Sequence, residues 1–410
     1  MQLSFTPIKG TSSKYKVLVA VLAALTLTGI VAFMVSYLEG FRLWGINNSV
    51  SWGQLITVDI YFIGLSAGSL VVSSLVYVFG QERYKPIGRM AVFMGLLLMI
   101  GAMVCVLTDL GRPEKMWRLF MYGYLSNMKS MFAVNGIFYA GYIGLLVAYL
   151  AAALANSKLT KLIAPIAVLW AILVHMGTGA IFGFIETRAI MYSPLKPIEF
   201  ISAAFASGLA LVMLLSYVTL KLGKRPISKD MYVSLGRMLI VLIIVLVVLV
   251  VADKMTHFYP PARESVLFLM QGPWSWIFWG MQVTLGYVIP LVILCHPKWG
   301  KTVKGVMIAC LICVIGIFGE RMGIIFPGLS QPLQYYPGEI EGVWGARGGF
   351  PVMPAETLMT VGIFSLLGLM YVLGLKFLQL LPTAGSEGTA DEGSEATAEQ
   401  KALAAEGGTT

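Results

Sequence analysis

Charge is scarce in this chain: Asp, Glu, Lys and Arg together make up 12% of it, against 58% hydrophobic residues and a mean hydropathy of +0.82. Histidine is scarcer still, with three copies, and there are four cysteines. So few charges over 410 residues exclude an array of soluble domains, because too little polar surface would cover the apolar runs. The three histidines exclude a haem held by two of them. His175 falls in the fifth apolar run, His257 beyond the seventh and His296 at the end of the eighth, so no two face each other within the bilayer. No haem-attachment run and no cysteine set spaced for an iron–sulfur cluster occurs, and neither a Walker loop nor a zinc signature is present. Cys310-x-x-Cys313 lies inside an apolar run, where small packing residues are a simpler reading than a redox or metal pair. The chain is therefore expected to hold no metal, haem or cluster, and no electron carrier of its own.

What the sequence does have is hydrophobic length. A helix needs ~20 mostly apolar residues to cross the hydrocarbon. Runs of that kind fall near 16–38, 52–80, 86–108, 130–154, 159–183, 198–220, 233–252, 274–295, 302–319 and 355–379. Alternating ten-residue strands are absent, which excludes an outer-membrane barrel. The predicted fold class is all-α integral membrane with ten transmembrane helices. The first run follows Lys9, Lys14 and Lys16 but is too long for a signal peptide and has no small-residue cleavage site after it, so it reads as a retained helix. From about Pro382 the chain is Gly, Ala, Ser, Thr and Glu, with nothing to bury, and is predicted to be disordered. That tail carries a net −5 and leaves +14 on the body.

The positive charge is distributed like that of a membrane protein rather than a nucleic-acid binder. With ten spans, the N-terminus, the even-numbered loops and the C-terminal end share one side. That side holds 17 of the cationic residues before the tail, against 11 on the other. The positive-inside rule places the richer side and both termini in the cytoplasm of a bacterial or archaeal cell, with the chain in the cytoplasmic membrane. The longer loops, 109–129, 253–273 and 320–354, then lie outside.

A repeat is visible at an offset of about 140 residues. Asp59 and Gly68 in the second span match Glu199 and Gly208 in the sixth. Asp109 ends the third span as Asp253 ends the seventh, and His175 in the fifth corresponds to Glu320 and Arg321 near the end of the ninth. The pattern predicts two four-helix bundles in parallel repeat, 51–195 and 196–330. An N-terminal segment with a flanking helix (1–50), an outer loop with helix ten (331–381) and the tail (382–410) complete the chain. Four-helix bundles build their sites from side chains on facing helices.

An ionisable residue inside a span marks a functional site by default. At ~1.5 Å rise per residue, Asp59 sits ~10 Å below the outer face and His175 ~24 Å along a helix entering from the cytoplasm, so both fall in the outer half. Asp109, Asp253, Lys254, Glu320 and Arg321 close that same face, and with Glu199 they form a set of proton-transfer candidates. The inner half is expected to hold only hydroxyls and amides such as Asn135, Tyr139 and Tyr142. A buried carboxyl at Asp59 suits proton transfer, with a structural ion pair to Arg112 or Arg321 as the plainer alternative. His175 reads either as a satisfied core histidine or as a ligand contact. Gly64-x-x-x-Gly68, with Ser66 and Ser69, permits close helix packing and also leaves room for a flat ligand.

The segment Asp109-Leu-Gly-Arg-Pro-Glu-Lys-Met-Trp117 resembles the polysulfide reductase membrane subunit family, also called NrfD-like. The likeness extends to Trp52-Gly53 before Asp59, to Gly64–Gly68, to His175 with small residues after it, to Phe278-Trp279, and to Arg321 with Ile325-Phe326-Pro327-Gly328. Together these span roughly 50–365. Ten helices are similar to the longer branch, which includes membrane subunits of uptake hydrogenases, of alternative complex III and of the sulfate-reducer quinone reductase complex, the last being favoured.

The resemblance implies an oxidoreductase subunit with a quinone, menaquinone or ubiquinone, as substrate near the outer surface. It implies Asp59 and His175 as the residues at the quinone head, with Gly64, Gly68 and Arg112 as further contacts. Many relatives carry His-Gln-Ser-Ser where this chain has His175-Met-Gly-Thr178, so contacts after the histidine do not carry over. It also implies a ferredoxin-like iron–sulfur subunit docking on the outer loops, further catalytic or cytochrome subunits, and no nucleic acid. Tyr335, Tyr336, Trp344 and Phe350 are the aromatic candidates for that docking surface. A secondary transporter and a passive anchor for redox subunits are the competing functions. A transporter would place its site near the midplane on broken helices, and an anchor would have no use for Asp59 or His175.

Overall fold

Backbone that crosses hydrocarbon must satisfy its own N–H and C=O groups, and the apolar runs do so as helices. The computed structural model describes residues 4–46, 50–118, 121–122, 128–260, 262–331 and 350–383. Tyr335, Tyr336, Trp344 and the acidic tail lie outside the described residues.

Ten helices are long and apolar enough to cross a membrane: α1 Ser13–Glu39, α2 Gln54–Tyr77, α3 Glu82–Asp109, α4 Met131–Leu154, α5 Thr160–Gly183, α6 Lys196–Leu222, α7 Lys229–His257, α8 Ile277–Cys295, α9 Val303–Ser330 and α10 Pro354–Phe377. Two run well past the sequence expectation at their C-terminal ends. α7 runs five residues past 252, and α9 runs eleven past 319 with Pro327 inside it. Glu320 and Arg321 therefore lie within a helix instead of closing its end. α8 opens as a π-helical stretch, Ile277–Val288, before turning α-helical to Cys295.

α2 is the centre of the molecule. It is buried on every side, whereas α1 turns most of its surface outward. It packs on α3, α5, α6, α9 and α10. Close approach to α6 depends on two glycines: a side chain at Gly68 would run into the backbone of Ala204 and Gly208, and one at Gly208 into that of Gly68 and Ser69. These are the glycines matched at the 140-residue offset, and small residues at such crossings let helix backbones meet. Gly29 of α1 and Gly362 of α10 make a second crossing of the same kind.

The two ends of the chain meet on one face. Strand β1 (Phe5–Thr6) pairs antiparallel with β2 (Leu381–Pro382), with Phe5 opposite Pro382 and Thr6 opposite Leu381. Arg89 of α3, buried there, donates to the Gln379 carbonyl (3.1 Å) and Asn156 Oδ1 (2.6 Å), and its guanidinium lies 4.0 Å from the centre of the Phe5 ring. This is the termini face. The opposite end of the bundle, where α2, α4, α6 and α10 begin, is the site face.

Candidate functional site

At the site face a cavity of about 300 Å³ opens between α2, α3, α4 and α5. Its polar groups are Asp59, Asp109, Tyr139 and Thr178, and apolar walls come from Ile56, Ile60, Met103, Phe132 and Phe182 among others. Small-molecule pockets begin at about this size and have this make-up, a few polar groups in an apolar lining. Asp59 projects about a turn and a half into α2; it is buried, and its Oδ1 has no hydrogen-bond partner among the described residues. Neither Arg112 nor Arg321 lies at ion-pair distance from it. Asp109, at the end of α3, shares the cavity and is near enough for charge on one carboxyl to act on the other.

One wall of the cavity is a hydroxyl–amide cluster. Asn135 and Tyr139 lie one turn apart on α4. With its carbonyl oxygen turned inward, the Asn135 amide accepts from Tyr139 Oη (2.7 Å) and Thr178 Oγ1 (3.1 Å), while its nitrogen donates to the Val174 carbonyl (3.3 Å). Asn135 and Tyr139 thus belong to the first turns of α4 at the site face. The expectation that they lie in the other half of the bilayer is corrected: α4 starts at Met131, and counting from that start puts them near the site-face end.

His175 is buried on α5 with Nδ1 3.0 Å from the Ala171 carbonyl, and its Nε2 has no hydrogen-bond partner among the described residues. It is not in the cavity lining but lies close to Ile63 and to Arg321. Gly64 and Gly68 also face away from the cavity. A side chain at Gly64 would meet Arg321 Nη2 and Ala204, and one at Gly68 the α6 backbone, so both glycines lie at helix crossings and outside the cavity lining. Arg112 is exposed in the turn after α3, outside the lining.

The remaining candidates gather in a second buried cluster. Lys196 Nζ donates to Glu199 (2.7 Å) and to Asp253 (3.0 Å), and Lys254 donates to Asp253 (2.8 Å). His257 closes the group, with Nδ1 2.7 Å from the Asp253 carbonyl and 3.7 Å from its carboxylate. Further along, Tyr287 donates to Glu320 (3.1 Å) and Gln282 donates to Tyr287 (2.9 Å). These two residues of α8 are five apart, and only the π-helical repeat stacks such a pair. Arg321 pairs with Glu320 (3.5 Å), donates to the Phe200 carbonyl (3.3 Å) and lies 4.0 Å from the Phe200 ring centre. Phe200 stacks on Phe182 (5.8 Å), which meets Trp52 edge-on (5.3 Å). An aromatic row therefore joins the cavity wall to the second cluster. Among the described residues no group of three or more His, Cys, Asp or Glu is placed to hold a metal ion.

The family model described as polysulphide reductase, NrfD, matches residues 42–332. The chain belongs to the NrfD family. It is 32% identical to the Hdr-like menaquinol oxidoreductase integral membrane subunit of Archaeoglobus fulgidus, over 96% of this chain and 100% of that one. A selenate reductase subunit of Mesobacillus selenatarsenatis is 27% identical over 77% of this chain and 83% of its own length. The integral membrane subunit of menaquinone reductase from Nitratidesulfovibrio vulgaris is 24% identical over 75% and 81% respectively.

Several residues of this NrfD protein escaped the sequence reading. Lys196 sits one turn before Glu199, a spacing that pairs charges on a helix and was there to be read. Glu356, buried in the first turn of α10, is an acid just inside an apolar run, the same signal that picked out Asp59. Gln282 and Tyr287 carried no signal, because their contact depends on the π-helical turn.

Proposed function

We propose that this chain is the quinone-reactive integral membrane subunit of a respiratory oxidoreductase, with the quinone head group in the cavity beside Asp59. The observation that carries the reading is a buried carboxyl with no cation at ion-pair distance among the described residues, lining a site-face cavity together with two hydroxyls. Quinone reduction takes up two electrons and two protons, and quinol oxidation releases them. Asp59 can hold the proton for one ring oxygen, as positioned groups do in general acid–base catalysis, while the Tyr139 and Thr178 hydroxyls, whose protons go to Asn135, can accept from a quinol hydroxyl. Electrons pass to or from an iron–sulfur partner docked on the site face. His175 we assign to positioning: it stands behind the lining with Arg321. Relatives named for menaquinol and menaquinone oxidoreductases support menaquinone as the substrate class. The excess of cations on the termini face, 17 against 11, supports a cytoplasmic position for both termini.

The test is to fill the cavity from its mouth. Ala140 lines it and is exposed to the bilayer, so Ala140→Phe leaves the core intact. The KM for quinone is expected to rise about tenfold with kcat retained, the pattern of lost substrate binding. An unchanged KM in the assembled complex would move the quinone elsewhere.

For the second bundle, 196–330, we propose proton movement without a quinone. Support comes from the buried chain Lys254–Asp253–Lys196–Glu199 and from the aromatic row that ends on Arg321. In proteoliposomes Glu199→Gln is expected to keep quinone turnover while the charge moved per quinone falls toward zero. Wild-type values of both would leave this bundle as scaffold.

A further inference from the structure

Two hydroxyls line the cavity, those of Tyr139 and Thr178. A hydroxyl has one proton to give and lone pairs to receive with, so what it offers a ligand depends on where its proton already goes. Tyr139 lies one turn beyond Asn135 on α4, and Thr178 near the end of α5 meets both. Gly177 makes this approach possible, because a side chain there would run into the Asn135 amide. Asn135 and Thr178 are fully buried, and buried polar groups of this kind are satisfied within the protein.

The second arm of the Asn135 amide fixes its orientation. That arm lies 3.3 Å from the Val174 carbonyl, which an N–H can meet and an amide oxygen cannot. The Asn135 oxygen is thereby turned to Tyr139 Oη (2.7 Å) and Thr178 Oγ1 (3.1 Å), and it also faces the Thr178 backbone N–H (3.2 Å). Thr178 Oγ1 has a second acceptor in the Val174 carbonyl (2.8 Å), and the two hydroxyls are 2.9 Å apart. Two hydroxyl protons therefore have two carbonyl acceptors, both inside the wall. What Tyr139 and Thr178 keep for the cavity is lone pairs. Asp59 does not discriminate in the same way: as an acid it donates to a carbonyl, as a carboxylate it accepts from a hydroxyl, and its Oδ1 has no hydrogen-bond partner among the described residues.

We propose that Asn135 sets the redox state the cavity selects: by taking the Tyr139 proton it makes the wall an acceptor, and the site binds quinol in preference to quinone. This rests on the quinone reading of the cavity. A quinol presents an O–H to the wall and is received. A quinone presents a further acceptor, which either faces a lone pair or takes the Tyr139 proton from Asn135 and leaves a buried carbonyl short of a bond. One hydrogen bond exchanged in this way sets the preference at about tenfold. Asn135 is outside the lining and acts through Tyr139 and Thr178, so it is a positioning residue. The oxidised form leaves such a site readily, whereas the reduced form competes for it.

The test measures, in the complete complex and without oxygen, the affinity for a soluble naphthoquinone analogue and for the same compound reduced. Wild type is expected to bind the reduced form about tenfold more tightly. Tyr139→Phe removes an acceptor and should weaken the quinol about tenfold while quinone affinity stays unchanged. Asn135→Leu combined with Thr178→Val removes the two side-chain oxygens that can take the Tyr139 proton, so the quinone gains affinity and the preference vanishes. Asn135→Asp keeps an acceptor for Tyr139 and should retain the preference. Equal affinities in wild type, or a preference that survives Tyr139→Phe, overturn the selection. Ala140→Phe separates this outcome from the quinone reading: weaker binding of both forms there leaves the cavity as the quinone site, and unchanged binding of both overturns the two together. If the double variant fails to assemble, Tyr139→Phe decides.

Discussion

Asp59→Asn is expected to lower quinone-linked turnover by about 10²–10⁴-fold, the range lost with a positioned acid–base group, while the complex still assembles. The substitution is nearly isosteric, so the cavity keeps its shape and its apolar walls. What disappears is the proton. Asp59 has no ion pair to lose among the described residues, so structural cost is small and the effect falls on chemistry. The measurement is quinone-linked activity set beside the partner's own activity with an artificial electron carrier. The second rate stays at wild type if electron delivery is intact. Normal quinone-linked kcat and KM in Asp59→Asn would remove the carboxyl from the reaction. His175 lies outside the lining, so a loss at His175 alone would not substitute for this result.

Lys196→Met is expected to have the largest effect on stability. Its ammonium is shared by Glu199 and Asp253, and all three are buried. Removing one member of a buried ionic group costs about 3–5 kcal/mol, because the partner charges stay buried without compensation. Asp253 retains Lys254 at 2.8 Å, but Glu199 has no other ion-pair partner among the described residues. Thermal unfolding in detergent, or the yield of assembled subunit, reads the loss. The double variant Lys196→Met with Glu199→Gln should recover part of it, since neutralising the orphaned carboxyl relieves most of its burial cost. If Lys196→Met unfolds like wild type, the cluster is hydrated and the energetic argument for it fails.

Depth along a helix is legible from sequence wherever it is counted from the start of the span. Asp59 and Asp109 were placed at the correct end because α2 and α3 begin and end close to where the apolar runs do. Asn135 and Tyr139 were put in the wrong half for want of the same count on α4. Glu320 and Arg321 were read as closing a face because the apolar run thins at Gly319, whereas the helix continues through Pro327 to Ser330. Proline removes one helix hydrogen bond and crowds the preceding turn, yet the helix continues past Pro327 to Ser330.

The sequence by itself determined ten apolar helices, the membrane as solvent, the family and the band of ionisable residues toward one face. Each is a property of single segments, set by hydropathy, length and the cost of burying charge. Which residues meet was decided only by the tertiary structure. Rotation about the helix axis turns Asp59 toward Asp109 and the cavity, and turns Gly64 and Gly68 toward α6. It leaves His175 beside Arg321 rather than in the lining. Helices of uniformly apolar sequence carry almost no moment to fix that rotation. It is set by close crossings such as Gly68 with Gly208, by the π-helical turn that joins Gln282 to Tyr287, and by the Glu356 carboxyl of α10 packed directly against Gly53 at the start of α2.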